Sequence, residues 1–462
     1  MTPEGLKREI RKWDLVALLV NVTVGAGILK LPSDVQRIVG NYSLLAFAVC
    51  AVVIALIALC FAEVGSRFSG TGGPYLYARE TFGPTLAFLV GWLMWLTRVA
   101  GFATLVQVFV TYLAYFWPPA ESGLLRITII AGLVVVLTAI NLIGVKESAR
   151  ASDLFTISKL LPLIVFVAVG LFFINAERFT FAQRPSLGSF SAAVFILIYA
   201  FSGFEAVLVN SGEIRAPRRV IPFALVVALS TSVMLFLLIQ IVCIGTLPQL
   251  TNSARPLADA GYTFLGALGP TMISAGALIG IFGTLNVVML ACTRLPFAMA
   301  AQGQLPVALA RVHPRFRTPY VSILICAMTV LLLSLSGTFI YALKVTVITR
   351  VIVYASTCVA LPVLRWRSKV TTSAAEAPDS FRAPAGILIS IVCVILCCWL
   401  LSNSGWREAR DVAIATAIGL IIYMVTRLGP KKAQNDPEFL IRTAALPTDQ
   451  PSSRGAQGNN KQ

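Results

Sequence analysis

Two glycines, Gly25 and Gly27, interrupt the apolar stretch NVTVGAGILKLPSD (21 to 34). A second apolar stretch, FILIYAFSGFEAVLVNSGEIRAPRR (195 to 219), is interrupted near Ser202 and Gly203, beside Glu205. Breaks of this kind leave backbone N–H and C=O groups without helical partners, and those groups can hold a charged guest where apolar side chains cannot. Five cations, Lys30, Arg98, Lys159, Lys344 and Arg350, also lie within apolar runs, and Glu205 is the carboxylate placed deepest in one. The chemistry within reach is non-covalent: dipoles and charges arranged around a small polar molecule. Covalent and metal chemistry is poorly supplied. The single histidine, His313, sits in a loop, so zinc sites built on several histidines and intramembrane His relays are excluded, and no His, Asp or Cys cluster near one interface suggests an enzyme. Neither rings of like charge nor a filter-like carbonyl loop speaks for a channel.

The elements that must position these residues follow from composition. The chain of 462 residues is 57% hydrophobic and 12% charged, and its apolar residues form long runs rather than amphipathic stripes. A hydrocarbon core needs about 20 helical residues per crossing. Twelve runs qualify: 14 to 38, 43 to 66, 84 to 115, 125 to 144, 153 to 174, 188 to 211, 221 to 246, 268 to 298, 320 to 336, 339 to 364, 383 to 402 and 410 to 428. Strands in lipid would show weak alternating patterns of about ten residues instead, so an all-α polytopic bundle is expected. No small-residue cleavage site follows the basic start MTPEGLKREIRKW, which reads as the approach to an uncleaved first crossing.

The net charge of +17 is a topology signal. With both termini inside, most of the 37 lysines and arginines fall on the inner side, as the positive-inside rule demands, so nucleic acid is not implied. The loops GEIRAPRR (212 to 219) and RVHPRFRTP (311 to 319) then face the cytoplasm. All nine cysteines lie in apolar runs and read as packing residues, with neither a disulfide frame nor a metal site expected.

The interrupted runs are the first and the sixth, which divides the chain into a cytoplasmic N-terminus (1–13), a five-helix half (14–175), a second five-helix half (188–365), two appended helices (383–428) and a polar, disordered cytoplasmic tail (430–462). An odd number of crossings per half inverts the second relative to the first. An isolated glycine in a membrane helix usually serves close packing. Two breaks at corresponding points of two halves are what point to a site.

The motifs VGAGILKLP (24 to 32), FAEVGSRFSGTGGPYLYARETFGPTLAFLVGWLMWL (61 to 96) and AFSGFEAVLVNSGEIRAPRRVIP (200 to 222) resemble those of the amino acid–polyamine–organocation (APC) superfamily of secondary transporters, over runs one to ten. The resemblance implies a five-plus-five inverted repeat with helices one and six unwound at mid-membrane, and an amino acid as substrate. It assigns Gly25, Ala26 and Gly27 to the substrate carboxylate, and Thr23 with run-six carbonyls to the amine. The residues are suited to this: N–H groups at the start of the half-helix after Gly27 favour an anion, and carbonyls near Val22, Thr23, Tyr199 and Ser202 can accept from an ammonium. Ala26 stands where many relatives carry Ser, which removes one hydroxyl contact. An aromatic lid is expected at Tyr199 or Phe201, with Tyr199 preferred; a packing role is the alternative.

Lys159 has two readings. It lies near enough to Asp153 to snorkel toward the cytoplasm. Alternatively, it matches a helix-five lysine that in many proton-linked relatives occupies the place of a sodium ion between helices one, five and eight. The latter implies proton coupling or sodium-independent exchange. Glu205 either gates, as the resemblance suggests, or caps the unwound amides of run six. Thr284 and Asn286 are weak candidates for coordinating a cation. Arg98 could hold an anion or pair with a carboxylate; Lys344 is expected to snorkel; Arg350 is unassigned. The expectation is a multi-pass cell-membrane amino acid carrier working by alternating access, proton-coupled or a sodium-independent exchanger, and without cofactor. A polyamine or cationic-amine exchanger of the same fold is the alternative.

Overall fold

Backbone groups in lipid find partners only within a helix or a closed barrel, and long Leu, Val, Ile and Ala runs choose the helix. The computed structural model describes residues 10–68, 72–144, 149–181, 184–209, 214–370 and 381–428, the side chains of 149–153 and 368–370 excepted. The expected disordered tail and most of the linker before residue 383 lie outside the described residues. In chain order the helices are α1 (Lys12–Thr23), α2 (Gly27–Val39), α3 (Ser43–Arg67), α4 (Pro74–Phe82), α5 (Pro84–Phe116), α6 (Gly123–Ile143), α7 (Ala149–Gly170), α8 (Leu187–Phe201), α9 (Phe204–Val207), α10 (Pro217–Thr246), α11 (Pro256–Leu265), α12 (Leu268–Ala301), α13 (Tyr320–Ser336), α14 (Phe339–Val370), α15 (Gly386–Ser402) and α16 (Trp406–Leu428).

Among the described residues nine helical stretches are long and apolar enough to cross a bilayer; α13 and α15 are shorter apolar helices. The difference from twelve runs has local causes. The first run is cut at Val24–Ala26, leaving α1 with 12 residues, and α2 joins α3 through a single 3-10 turn, so that Gly27–Arg67 counts as one stretch. Val135, Met234, Ile395 and Ile421 are exposed on the outside of the bundle, as suits a lipid solvent.

The centre is made by α5 against α12 and α14, α8 against α2 and α3, and α1 against α10. Helix α7 lies unusually close to α12. A Cβ on Gly276 would stand 2.3 Å from the Ser158 carbonyl oxygen, one on Gly280 2.7 Å from Lys159 Cβ and one on Gly283 2.3 Å from Phe155. Small residues spaced four and three apart thus form the seat for α7, and they fix the height at which Lys159 enters the bundle.

Buried charge is paired at the helix ends. The Glu63 carboxylate accepts from Arg365 (2.7 and 2.6 Å), Arg67 (3.0 Å) and the Ala383 N–H (2.9 Å), joining α3, α14 and the entry to α15. Lys344 departs from the expected snorkelling: its Nζ lies 3.3 Å from Glu408 Oε1, because α16 begins beside the start of α14. Cysteines also gather in a way the linear pattern hides. Cys60, Cys358 and Cys393, from three helices, bring their sulfurs within 4.8 Å of one another, whereas Cys398 is exposed.

Candidate functional site

The first break is a tight turn. Helix α1 closes with Val24 N–H donating to the Val20 carbonyl (2.8 Å), and Gly25 N–H then donates to the Thr23 carbonyl (2.8 Å) instead of reaching back to Asn21. Helix α2 starts at Gly27, and no backbone carbonyl among the described residues accepts from the N–H groups of Ala26, Gly27 or Ile28. The carbonyl of Val22 likewise receives no backbone donor. One short segment therefore presents both a cluster of donors at a positive dipole end and an acceptor.

The second break has an extended Ser202 (φ −98°, ψ 171°) and a Gly203 at φ +116°, a conformation that disfavours any side chain. Ser202 Oγ donates to the Tyr199 carbonyl (2.8 Å), and Gly203 N–H donates to Glu205 Oε2 (2.9 Å). The two breaks touch: a Cβ on Gly203 would stand 2.9 Å from Val22 Cγ1 and 3.2 Å from the Val22 carbonyl oxygen.

Around this contact lies a cavity of about 150 Å³. The first break contributes Val22, Thr23, Gly25, Ala26 and Gly27, the second Tyr199, Ser202, Gly203 and Glu205, and α5, α12 and α14 add Arg98, Thr284 and Arg350. Buried Thr23 Oγ1 has no hydrogen-bond partner among the described residues. Of the eight residues expected to contact substrate, seven line this cavity and Phe201 does not. Two positions after Tyr199 on a helix, its ring points to the opposite side, buried against Phe47 (centroids 6.1 Å apart) and Phe236 (5.0 Å). The Thr23 carbonyl is also less available than expected, since Gly25 N–H occupies it.

Glu205 meets the second of its expected descriptions, the cap. It caps the unwound segment through Gly203 N–H, and its carboxylate also meets Arg350 Nε at 2.9 Å and accepts from Tyr354 Oη at 2.8 Å. Arg350 touches Ser202 Oγ as well. Tyr354 escaped the sequence reading, although its position four residues after Arg350 puts the two on one helix face. Lys159 does not snorkel. Its Nζ donates to the Asn21 carbonyl at 2.5 Å, one of the acceptors left over where α1 ends, and it lines a small second cavity of about 20 Å³ that shares Gly25, Ala26 and Thr284 with the first. Thr284 Oγ1 donates to the Gly280 carbonyl (2.8 Å), while Asn286 is turned toward Asn141 (3.3 Å).

The two glycines of the first break have different tasks. A Cβ on Gly25 would meet only the Val22 carbonyl oxygen, at 3.8 Å; one on Gly27 would stand 2.9 Å from Ala200 Cα. Gly27→Val is accordingly expected to force α2 off α8 and to lower folded yield and thermal stability. Gly25→Val is expected to retain a wild-type melting profile while losing ligand-induced stabilisation, as read by thermal unfolding in detergent. Equal melting behaviour of the two variants would contradict the assignment.

A helical membrane bundle whose two interrupted helices enclose a charged cavity is the architecture of a transporter. The sequence profile of the amino acid permease family matches residues 10–426, and the chain belongs to this family, within the APC superfamily. It is 26% identical over 445 residues to the branched-chain amino acid permease BcaP of Bacillus subtilis, covering 91% of this chain and 93% of the relative. Identity to the methylthioribose transporter of the same organism is 25% over 438 residues (91% and 94%). The serine/threonine exchanger SteT, also of Bacillus subtilis, is 31% identical over 331 residues, 69% of this chain and 74% of its own length.

Proposed function

We propose that the chain carries an amino acid across the membrane by alternating access, with the touching breaks as the binding site. The observation that carries this reading is the pairing of unpartnered donors and acceptors at one point of a lipid-embedded bundle. A zwitterion needs both at once: the N–H groups of Ala26, Gly27 and Ile28 receive its carboxylate, and the Val22 carbonyl with acceptors of the second break receives its ammonium. Tyr199 sits at the wall as the aromatic cover. The names of BcaP and SteT support an amino acid as substrate; that of the methylthioribose transporter warns that related sites also accept other polar molecules.

The same proposal takes the chain as twelve crossings in a five-plus-five inverted repeat (14–175 and 188–365) followed by two further helices (383–428), with both termini cytoplasmic. Helix α7 then corresponds to the fifth crossing, and Lys159 holds the end of α1 with its own ammonium at the place where a sodium ion would otherwise sit. Transport is proton-coupled or a sodium-independent exchange. The cationic-amine alternative is disfavoured by the cavity itself, which contains two arginines against one carboxylate.

A thermal-shift screen of the twenty amino acids and common polyamines on detergent-solubilised protein tests the reading. A ligand at 100 times its Kd stabilises the folded state by about 2.7 kcal/mol. At least one amino acid should raise the melting temperature and be accumulated by proteoliposomes. Stabilisation by polyamines alone would overturn the amino acid assignment.

A further inference from the structure

The cavity contains one positive charge more than it can neutralise. Of its two guanidiniums, that of Arg350 is matched by Glu205 at 2.9 Å. Arg98, on α5, has neither a hydrogen bond nor an ion pair with any described residue, yet it lines the cavity at mid-helix, between Met94 and Gly101. The other ionised groups acting on it are Glu205 and Arg350, whose opposite charges are already joined to each other. A guanidinium cannot deprotonate to escape this cost, and a charge inside a membrane bundle marks the place of a partner. A neutral zwitterion leaves the imbalance unchanged, because its own two charges are taken up by the backbone groups of the breaks. A ligand with one further negative charge removes it. The planar fork of Arg98 fits a second carboxylate on two parallel hydrogen bonds.

We propose that the transported molecule is an acidic amino acid, its side-chain carboxylate received by Arg98 across the cavity from the two breaks. The proposal rests on the amino acid reading above and adds the class of side chain. It also gives the cavity a reason to be empty of carboxylates apart from Glu205, since any other would compete for Arg98.

Purified protein in proteoliposomes is to be assayed for uptake and competition with glutamate, aspartate, glutamine, asparagine, serine, leucine and lysine. Thermal shifts with the same compounds supply affinities independent of turnover. Glutamate or aspartate should bind more tightly than the corresponding amide. Arg98→Gln should weaken the acid by at least about thirtyfold more than the amide, the size expected when one partner of a buried charge pair is truncated, and Arg98→Lys should recover part of that preference. Tight binding of serine or leucine with no preference for acids would overturn the inference and leave the amino acid carrier standing. An Arg98→Gln variant that loses acid and amide equally would overturn it too, assigning Arg98 to the α-carboxylate or to folding. Failure of every amino acid to bind would remove both readings.

Discussion

Glu205→Gln is expected to cost about 3–5 kcal/mol of stability and to abolish transport, because it leaves Arg350 buried without its counter-charge. The carboxylate it removes is the meeting point of Arg350, Tyr354 Oη and Gly203 N–H, so α14 and the second break lose one anchor together. An amide can accept from Gly203 and Tyr354 but cannot balance a guanidinium. Unfolding free energy in mixed micelles measures the first effect, and proteoliposome uptake the second. Adding Arg350→Met to Glu205→Gln should restore most of the stability, since it removes the buried guanidinium that the single variant leaves without a counter-charge. Transport should stay lost in the double variant. A Glu205→Gln protein as stable as the wild type would show that the pair bears no structural load.

Lys159→Ala carries the second large effect. The ammonium donates to the Asn21 carbonyl at the end of α1, and its stem fills the space beside Gly280. Without it, the end of α1 loses its cation and the first break loses its brace on the α7 side. Uptake driven by an inward proton gradient should fall at least about tenfold, corresponding to about 1.4 kcal/mol, and the remainder should no longer respond to pH. Robust uptake with an unchanged pH response would reject the coupling role. Lys159→Met separates charge from packing: it keeps most of the stem's volume, so a Met variant as impaired as the Ala variant assigns the effect to the ammonium.

The long apolar runs made the helices legible in advance, and Gly25, Gly27, Ser202 and Gly203 made the interruptions legible, because glycine and polar residues weaken a lipid-embedded helix wherever they fall. What the linear order could not carry is which groups meet. Lys159 was within reach of both the cytoplasmic interface and the bundle interior. The choice was made by α12, whose small residues let α7 approach until Lys159 faces the free Asn21 carbonyl. Arg350 and Arg98 looked alike as intramembrane arginines, and only their neighbours distinguish a neutralised charge from an open one. Tyr199 and Phe201 were similarly hard to separate by residue type, although their two-residue offset on a helix does separate them. Gly25 and Gly27, alike in sequence, serve two ends, one leaving space and the other allowing contact.

The contact of Gly203 with Val22 has a mechanical consequence. With no room for even a methyl group between them, the bend in one helix is nested in the bend of the other. Sliding either bend alone would open a vacuum in a densely packed interior or drive a carbonyl into a neighbouring backbone. The cheaper displacement moves both bends as one lever, and on the proposed reading a substrate between them would turn with both rather than pass from one helix to the other.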